Sequence, residues 1–570
     1  MIKKVVSSVL ISTLLAASLA ACGSSNENAS NSNAATPTNQ SHDANEPAAA
    51  PDPLGKYEQP VTVTEVIGYR PPEDAGTPKG ITPEQNAYLK DLKEAMNIEI
   101  KYLWAVPSEQ FEQKFSLALA TGDLPDVMQV DTKTFEKLKK QDMLADMTDA
   151  YNNYATPELK EWIESDGGFT LKTVTSEGKI LGIPSFEDPY MSTQLIWIRK
   201  DWLKNLNLEA PKTIDELEKV AEAFVNNDPD KNGKDDTYGI AMQKALIGWG
   251  FDARGLFNGF GSAPKSWLKG ADGKLAAGEI QPEAKEALAK LQSWYQKGII
   301  DQEFALKDET KMSEDITAGK VGITYGEWWV PNWPLNLNMD KDPNAEWEAY
   351  QIPGLNGPGK SLVGKLRLNS ITVVNKKFEH PEAAVKMINF YNLMLNKENF
   401  EKNKAEDGYV YNWFQPRIYQ PNLFDVIYDE VNKAIAANQD EIPVTDSSYR
   451  GINDVFLATK AFLAGDTSTR SKGTNWGLYA SRAAENGGWG LTRKIRESGQ
   501  VFFNEFYGLP TPTQLDKGSQ LDKLIDETYI KIIMGDSLSE FDKFVSSWKK
   551  LGGDDITNEV NEWYEKEAVK

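Results

Sequence analysis

The sequence predicts an α/β protein of two lobes behind a flexible tether. Three observations carry that prediction. β-Branched strands alternate with amphipathic helices from Val61 onward, the alternation stops and restarts near residue 190, and the 570-residue chain, with 16 Trp, 21 Tyr and 22 Phe, has apolar mass enough for two cores.

The first segment is read as an export signal and not as fold. Lys3 and Lys4 precede an apolar run over residues 5–15 that falls short of the roughly 20 residues needed to span a bilayer as a helix. The run ends in Leu19-Ala20-Ala21-Cys22-Gly23, which resembles the lipobox of bacterial lipoproteins and places the signal at 1–21. Cys22 is the only cysteine, so no internal disulfide is available to it, and acylation at the signal boundary, palmitate included, is the chemistry that uses it. Residues 22–54 are rich in Asn, Ser, Ala and Pro with hardly a large apolar side chain, the composition of a flexible tether.

The first lobe opens with the alternating run Val61-Thr62-Val63-Thr64-Glu65-Val66-Ile67, a strand. Thr82 as N-cap with Gln85 three residues on predicts a helix from Pro83, with Tyr88, Leu89, Leu92, Ala95 and Met96 as its apolar stripe. A strand over 98–104, a helix from Ser108 that stops near Gly122, and a strand over 126–131 complete what reads as a parallel lobe. The second lobe starts with a strand at 195–199. A capping box, Thr213 to Glu216, then opens a helix along Ile214, Leu217, Val220, Ala221 and Phe224. A helix with Ala284, Ala287, Leu288, Leu291 and Tyr295, and a strand over 321–325, follow. A further βα unit at 371–391 has no evident place in the second lobe and is assigned back to the first. The C-terminus is helical up to Trp548 and beyond Gly552-Gly553. The boundaries drawn from this are 55–190 plus 370–435 for the first lobe and 191–369 plus 436–570 for the second. Such double crossing suits a cleft that opens about a hinge.

Composition excludes several function classes. The formal net charge is -22, from 84 acidic against 62 basic residues, which argues against nucleic acid and leaves membrane contact to the lipid anchor alone. Only His42 and His380 are present, so Ser-His-Asp chemistry and multi-histidine zinc sites are ruled out as readings.

The order of Gly182-Ile183-Pro184, Ile198-Arg199-Lys200-Asp201-Trp202-Leu203, Pro211 to Leu217, Gly319 to Trp329 and Trp548 to Gly553 resembles the extracellular solute-binding proteins of carbohydrate ABC importers, and within them the long lipoproteins that include the alginate-binding proteins. The resemblance spans nearly all of the chain after the tether. It implies a two-lobed periplasmic-binding-protein fold of type 2, an oligosaccharide ligand held between the lobes, permease subunits as partners, a monomer lipid-anchored on the outer face of the cell membrane, and no enzymatic activity. A peptide or lipopeptide binder on the same fold is the first alternative. A secreted carbohydrate-active enzyme is the second, since Glu327 among aromatic residues resembles a glycosidase carboxylate.

Asp228, Asp230, Asn232 and Asp236 stand at positions one, three, five and nine of a loop with Gly233 at six, the spacing of an EF-hand-type calcium loop in which Lys234 gives its backbone carbonyl. Gly239 stands where the bidentate Glu belongs, so Thr237, Asp235 or a distant carboxylate must complete the set. Resemblance to the alginate-binding proteins implies a structural role for the ion.

Ligands of α/β sheets sit beyond the carboxyl ends of parallel strands. On that rule Trp104, Asp131, Glu327, Trp328 and Trp329 are candidate ligand residues, with Tyr190 beside the hinge. Trp249, Arg367, Trp413 and Arg450 fall in stretches that read as loops and join them. Trp202, Trp294, Trp548 and Trp563 lie on helical stripes and are assigned to the core. Trp328 and Trp329 are adjacent, so on an extended backbone only one need face the ligand.

Overall fold

A computed structural model describes residues 51–69, 81–407 and 416–568. The export segment, Cys22, most of the tether and Trp413 lie outside the described residues. The chain divides at Ala50–Pro51 into two units, and all that follows concerns the second.

In the first lobe β1 (Val61–Tyr69) pairs in parallel with β2 (Ile98–Pro107), Val61 opposite Ile98, with a bulge at Glu65 and Val66. β3 (Val127–Val130) follows, and the backbone N–H of Asp126 donates to the Thr64 carbonyl at 3.1 Å, tying its entry to β1. β4 (Ile183–Glu187) ends the first pass. The chain returns from the second lobe as a long strand, Arg367–Val374, which lies antiparallel between β3 and β4. The lobe is therefore mixed and not all parallel as expected. A parallel neighbour needs a crossover connection of its own, whereas this strand arrives straight from the other lobe and is free to enter antiparallel.

The helix placed at Pro83 begins later, at Ala87, and runs to Met96. Asn86 is the cap: its Oδ1 accepts from the Leu89 N–H at 3.0 Å while its Nδ2 donates to the carbonyls of Thr82 and Pro83 at 3.2 and 3.1 Å. One amide thus closes the turn on both sides, which the Thr82 hydroxyl would not do. The helix Ser108–Thr121 does stop at Gly122, whose φ of 73° needs no Cβ.

The second lobe is built on β5 (Leu195–Arg199), β6 (Tyr238–Ile240), β7 (Val321–Gly326) and β8 (Trp347–Gln351), in the order β8-β5-β7-β6. β6 and β7 run parallel, and β5 is antiparallel to both β7 and β8. The helix Ile214–Asn226 opens with the reciprocal capping box of Thr213 and Glu216. It packs into one core with Pro282–Gln296 and the C-terminal helices Pro512–Ile533 and Ser539–Trp548. Each large side chain fully buried there contributes about 1.5–3 kcal/mol.

Four helices, Leu423–Ala436, Tyr449–Ala464, Lys472–Arg482 and Gly488–Glu497, gather around a separate cluster of Ile427, Val431, Ile452, Phe456 and Trp489. Its partly buried rim includes Trp328, at the end of the second-lobe strand β7. A third set of side chains therefore borders the region between the lobes.

Candidate ligand cleft

The parallel pair β6 and β7 delivers two loops to one edge of the second lobe, 241–253 and 327–334. Glu327, the first residue after β7, is only 5 % exposed. Arg254 Nη1 approaches it at 3.2 Å and Arg367 Nη2 at 3.5 Å. Arg254 also donates through Nε to Asp252 at 2.8 Å, and Arg367 Nε lies 3.8 Å from Glu187, the last residue of β4 in the first lobe. The result is a run of alternating charge, Asp252, Arg254, Glu327, Arg367, Glu187, that passes from one lobe to the other. Burial alone would lower the pKa of Arg254, but Asp252 and Glu327 raise it beyond that loss, so the guanidinium stays charged. Among the described residues, Nη2 of Arg254 and Nη1 of Arg367 are buried with no protein partner. Buried donors of this kind call for an acceptor from water or ligand.

On one side of Glu327 the Trp328 ring meets Phe424 at 5.4 Å and Trp489 at 5.3 Å, and the Arg482 guanidinium lies 4.9 Å from its centre. These residues border a cavity of about 260 Å³ that Glu187, Tyr419, Gln420, Arg450 and Asp454 also line. The helix carrying Trp489 approaches closely because Gly488 has no Cβ: one there would fall 2.6 Å from the Trp328 carbonyl oxygen. On the other side Trp329 stacks at 4.3 Å with Trp249 and packs in a different hydrophobic cluster. The two tryptophans sit in a turn, not on extended backbone, and still part to opposite sides.

The structure thus brings Trp328, Arg450 and Glu187 around one cavity, ties Arg367 and Glu327 to it through the contacts of Arg367 with Glu187 and Glu327, and sets Trp329 against Trp249 in a neighbouring cluster. Arg367 opens a strand and Arg450 sits in the first turn of a helix, so neither is a loop residue as expected. Trp104 stays within the first lobe, against Phe111 at 5.4 Å, with Lys114 Nζ over its ring at 5.1 Å. The Asp131 carboxylate caps the helix Thr132–Lys140, accepting from the Thr134 N–H at 2.7 Å. Tyr190 packs with a second-lobe cluster, beneath Arg496 at 5.7 Å.

In the acidic loop, Gly233 N–H donates to Asp228 at 3.0 Å, and Asn232 Nδ2 donates to Asp230 at 2.7 Å and to Asp236 at 3.1 Å. Asp230 is pushed above the usual carboxylate range by burial and by its neighbours Asp228 and Asp236. A divalent cation would relieve that repulsion, so the donor set fits a hard cation in kind. In position the fit is looser: the Asn232 amide nitrogen bridges the carboxylates, and no three acidic, His or Cys groups among the described residues form a ready-made metal cluster. The Thr237 hydroxyl donates to the Phe224 carbonyl at 2.7 Å.

Residues 79–393 match the family model of the bacterial extracellular solute-binding proteins. The chain belongs to that family. Among curated relatives, this solute-binding protein is 28 % identical over 487 residues to the polygalacturonan/rhamnogalacturonan-binding protein YtcQ of Bacillus subtilis, covering 84 % of this chain and 88 % of the relative. It is 25 % identical over 495 residues to the lipoprotein LipO of the same organism, covering 85 % and 89 %. Its fold matches that of the Streptococcus pneumoniae ABC-transporter substrate-binding protein FusA in complex with kestose, with a TM-score of 0.60 at 19 % identity, covering 89 % of this chain and all of that one.

Sequence reasoning missed Glu187, Arg254, Phe424, Asp454 and Trp489. Only Trp489 carried a usable signal, the run Gly487-Gly488-Trp489-Gly490, in which small residues flank a large ring and allow another backbone to come close. The others sit on regular elements and are indistinguishable in pattern from residues of any solvated face.

Proposed function

We propose that this solute-binding protein captures an oligosaccharide beside Glu327 and Trp328 and presents it, as a monomer, to the permease of an ABC importer, with no catalysis of its own. The observation that carries this reading is the pairing of aromatic rings with fixed charges in one cavity, where Trp328, Phe424 and Trp489 are joined by Glu187, Arg450, Asp454 and Arg482. The rings offer apolar faces to sugar C–H groups and the charged side chains hydrogen-bond hydroxyls, while next to the cavity Glu327 and the unpartnered N–H groups of Arg254 and Arg367 offer a further acceptor and donors. The similarity to the polygalacturonan/rhamnogalacturonan-binding protein YtcQ and to FusA in complex with kestose supports the same reading. Glu327 is gripped by two guanidinium groups, which suits an acceptor of hydrogen bonds better than the proton-donating acid of a glycosidase.

Calorimetry of the full chain against neutral and acidic oligosaccharides, with parallel assay of reducing ends, tests the proposal. Binding without new reducing ends is the expected result. Release of new ends would make the protein an enzyme, and binding of peptides in place of sugars would favour the peptide reading.

Two further parts of the reading rest mainly on sequence. Acylation of Cys22 would hold the protein at the outer face of the membrane, in keeping with the lipoprotein name of LipO. Calcium would be held by Asp228, Asp230, Asn232, Asp236 and the Lys234 carbonyl, supplying charge balance to a loop that follows the helix Ile214–Asn226.

A further inference from the structure

The cavity beside Trp328, at about 260 Å³, is smaller than the roughly 300–1,000 Å³ usual for ligand pockets. Most of an oligosaccharide bound there must extend beyond it. A second aromatic surface begins one residue away. Trp249 is 45 % exposed, whereas Trp202, Trp294 and Trp548 of the same lobe are fully buried. Its ring lies 4.3 Å from Trp329 at 32° and 6.0 Å from Trp333 at 11°, and its indole N–H donates to Glu309. Gly250 secures the arrangement, since a Cβ there would fall 2.7 Å from the Trp329 ring and lift the loop away. The face is open, and it carries the Glu309 carboxylate at its edge.

Topology places this face on the ligand side. Trp249 lies in the loop after β6, Trp329 and Trp333 in the loop after β7, and those strands are parallel neighbours with Tyr238 opposite Val321. Both loops therefore leave the carboxyl edge of the sheet, where Glu327 and Arg254 already stand.

We propose that the face built on Trp249, Trp329 and Trp333 is an outer subsite that stacks a sugar unit beyond the one in the Trp328 cavity, so that the cleft selects for chain length. This rests on the oligosaccharide reading above. One backbone turn, directly after Glu327, supplies both floors, Trp328 to the inner unit and Trp329 to the outer. A stacked sugar needs a flat ring with open surface, and Trp249, packed on Trp329 and Trp333, still keeps 45 % of its surface exposed.

The test is the affinity of the full chain for galacturonan oligomers and, in parallel, fructo-oligosaccharides, each from two to six units. In the wild type, four units should bind at least tenfold more tightly than two in whichever series binds, the gain of one additional stacked ring. Trp249→Ala should collapse that ratio toward one, Trp249→Phe should keep part of it, and Trp328→Ala should weaken every length. An unchanged melting temperature for Trp249→Ala shows that its fold is intact. A length ratio that survives Trp249→Ala overturns this inference alone. A wild-type chain that binds neither series removes the oligosaccharide reading and the outer subsite with it.

Discussion

Two aromatic clusters of the second lobe and its border are alike in composition and opposite in surroundings. At the C-terminus Tyr529, Phe541 and Phe544 pack ring on ring, Phe541 and Phe544 5.8 Å apart, and Trp548, in the same core, is 2 % exposed. Beside the lobes' junction Trp328, Phe424 and Trp489 pack at similar distances, but Arg482 lies over two of the rings and Glu187, Arg450 and Asp454 line the adjoining space. In the first cluster every ring face is covered by protein, so its area contributes to folding. In the second a cavity and fixed charges remain, an arrangement that costs stability and offers a place for a polar molecule with apolar faces. Aromatic content alone does not separate a core from a site; what surrounds the rings does.

The comparison breaks first at Trp548. Trp548→Ala should lower unfolding free energy by about 3–5 kcal/mol, read by denaturant melts, with affinity per folded molecule unchanged. If affinity falls with little loss of stability, the C-terminal cluster is no mere core.

The core also holds a titrating group. Glu279 is buried, with its backbone carbonyl accepting from the Tyr529 hydroxyl at 2.6 Å, and burial raises its carboxyl from 4.5 to about 7. Its folded pKa lies above the unfolded one, so the folded state holds the proton more tightly. That contribution is fully present below pH 4.5 and is lost as pH rises through about 7, on the order of 3 kcal/mol. Stability measured from pH 4.5 to 7.5 should fall more steeply in the wild type than in Glu279→Gln, and equal slopes would refute the assignment.

A smaller effect sharpens the contrast between structural and binding regions of the lobe. Calcium at a hundredfold excess over its dissociation constant should stabilise the protein by about 2.7 kcal/mol, and Asp228→Ala should abolish that response without changing sugar affinity. Melting curves that coincide with chelator and with calcium would remove the ion from the loop.

The smallest expected effect concerns the cleft. Trp328→Ala should weaken oligosaccharide binding at least tenfold, or about 1.4 kcal/mol, while shifting the melt less than Trp548→Ala does. The reverse order of the two variants would turn the comparison around.

Local pattern was enough for some of this. The capping box at Thr213 and Glu216, the stop at Gly122 and the buried stripe of Pro282–Gln296 all depend on neighbours within a turn or two, and the structure shows each where the spacing put it. Trp328 was legible as a site candidate because it follows a strand, and Trp548 as core because it continues a stripe. The start of the first helix was not, because Asn86 outcompetes Thr82 through bonds to carbonyls that only the folded turn presents.

By itself, then, the sequence determined what depends on short-range chemistry: strands and helices by period, caps by donor and acceptor spacing, and an acidic loop by its repeated oxygens. Tertiary structure alone decided the antiparallel return of Arg367–Val374 between β3 and β4, and with it the meeting of Glu187, Arg367 and Glu327. It also decided which side each of two adjacent tryptophans faces, and that Asp131 caps a helix. These outcomes turn on partners far away along the chain, where the energy of a contact exists only once both lobes are folded, and no periodicity in either segment records it.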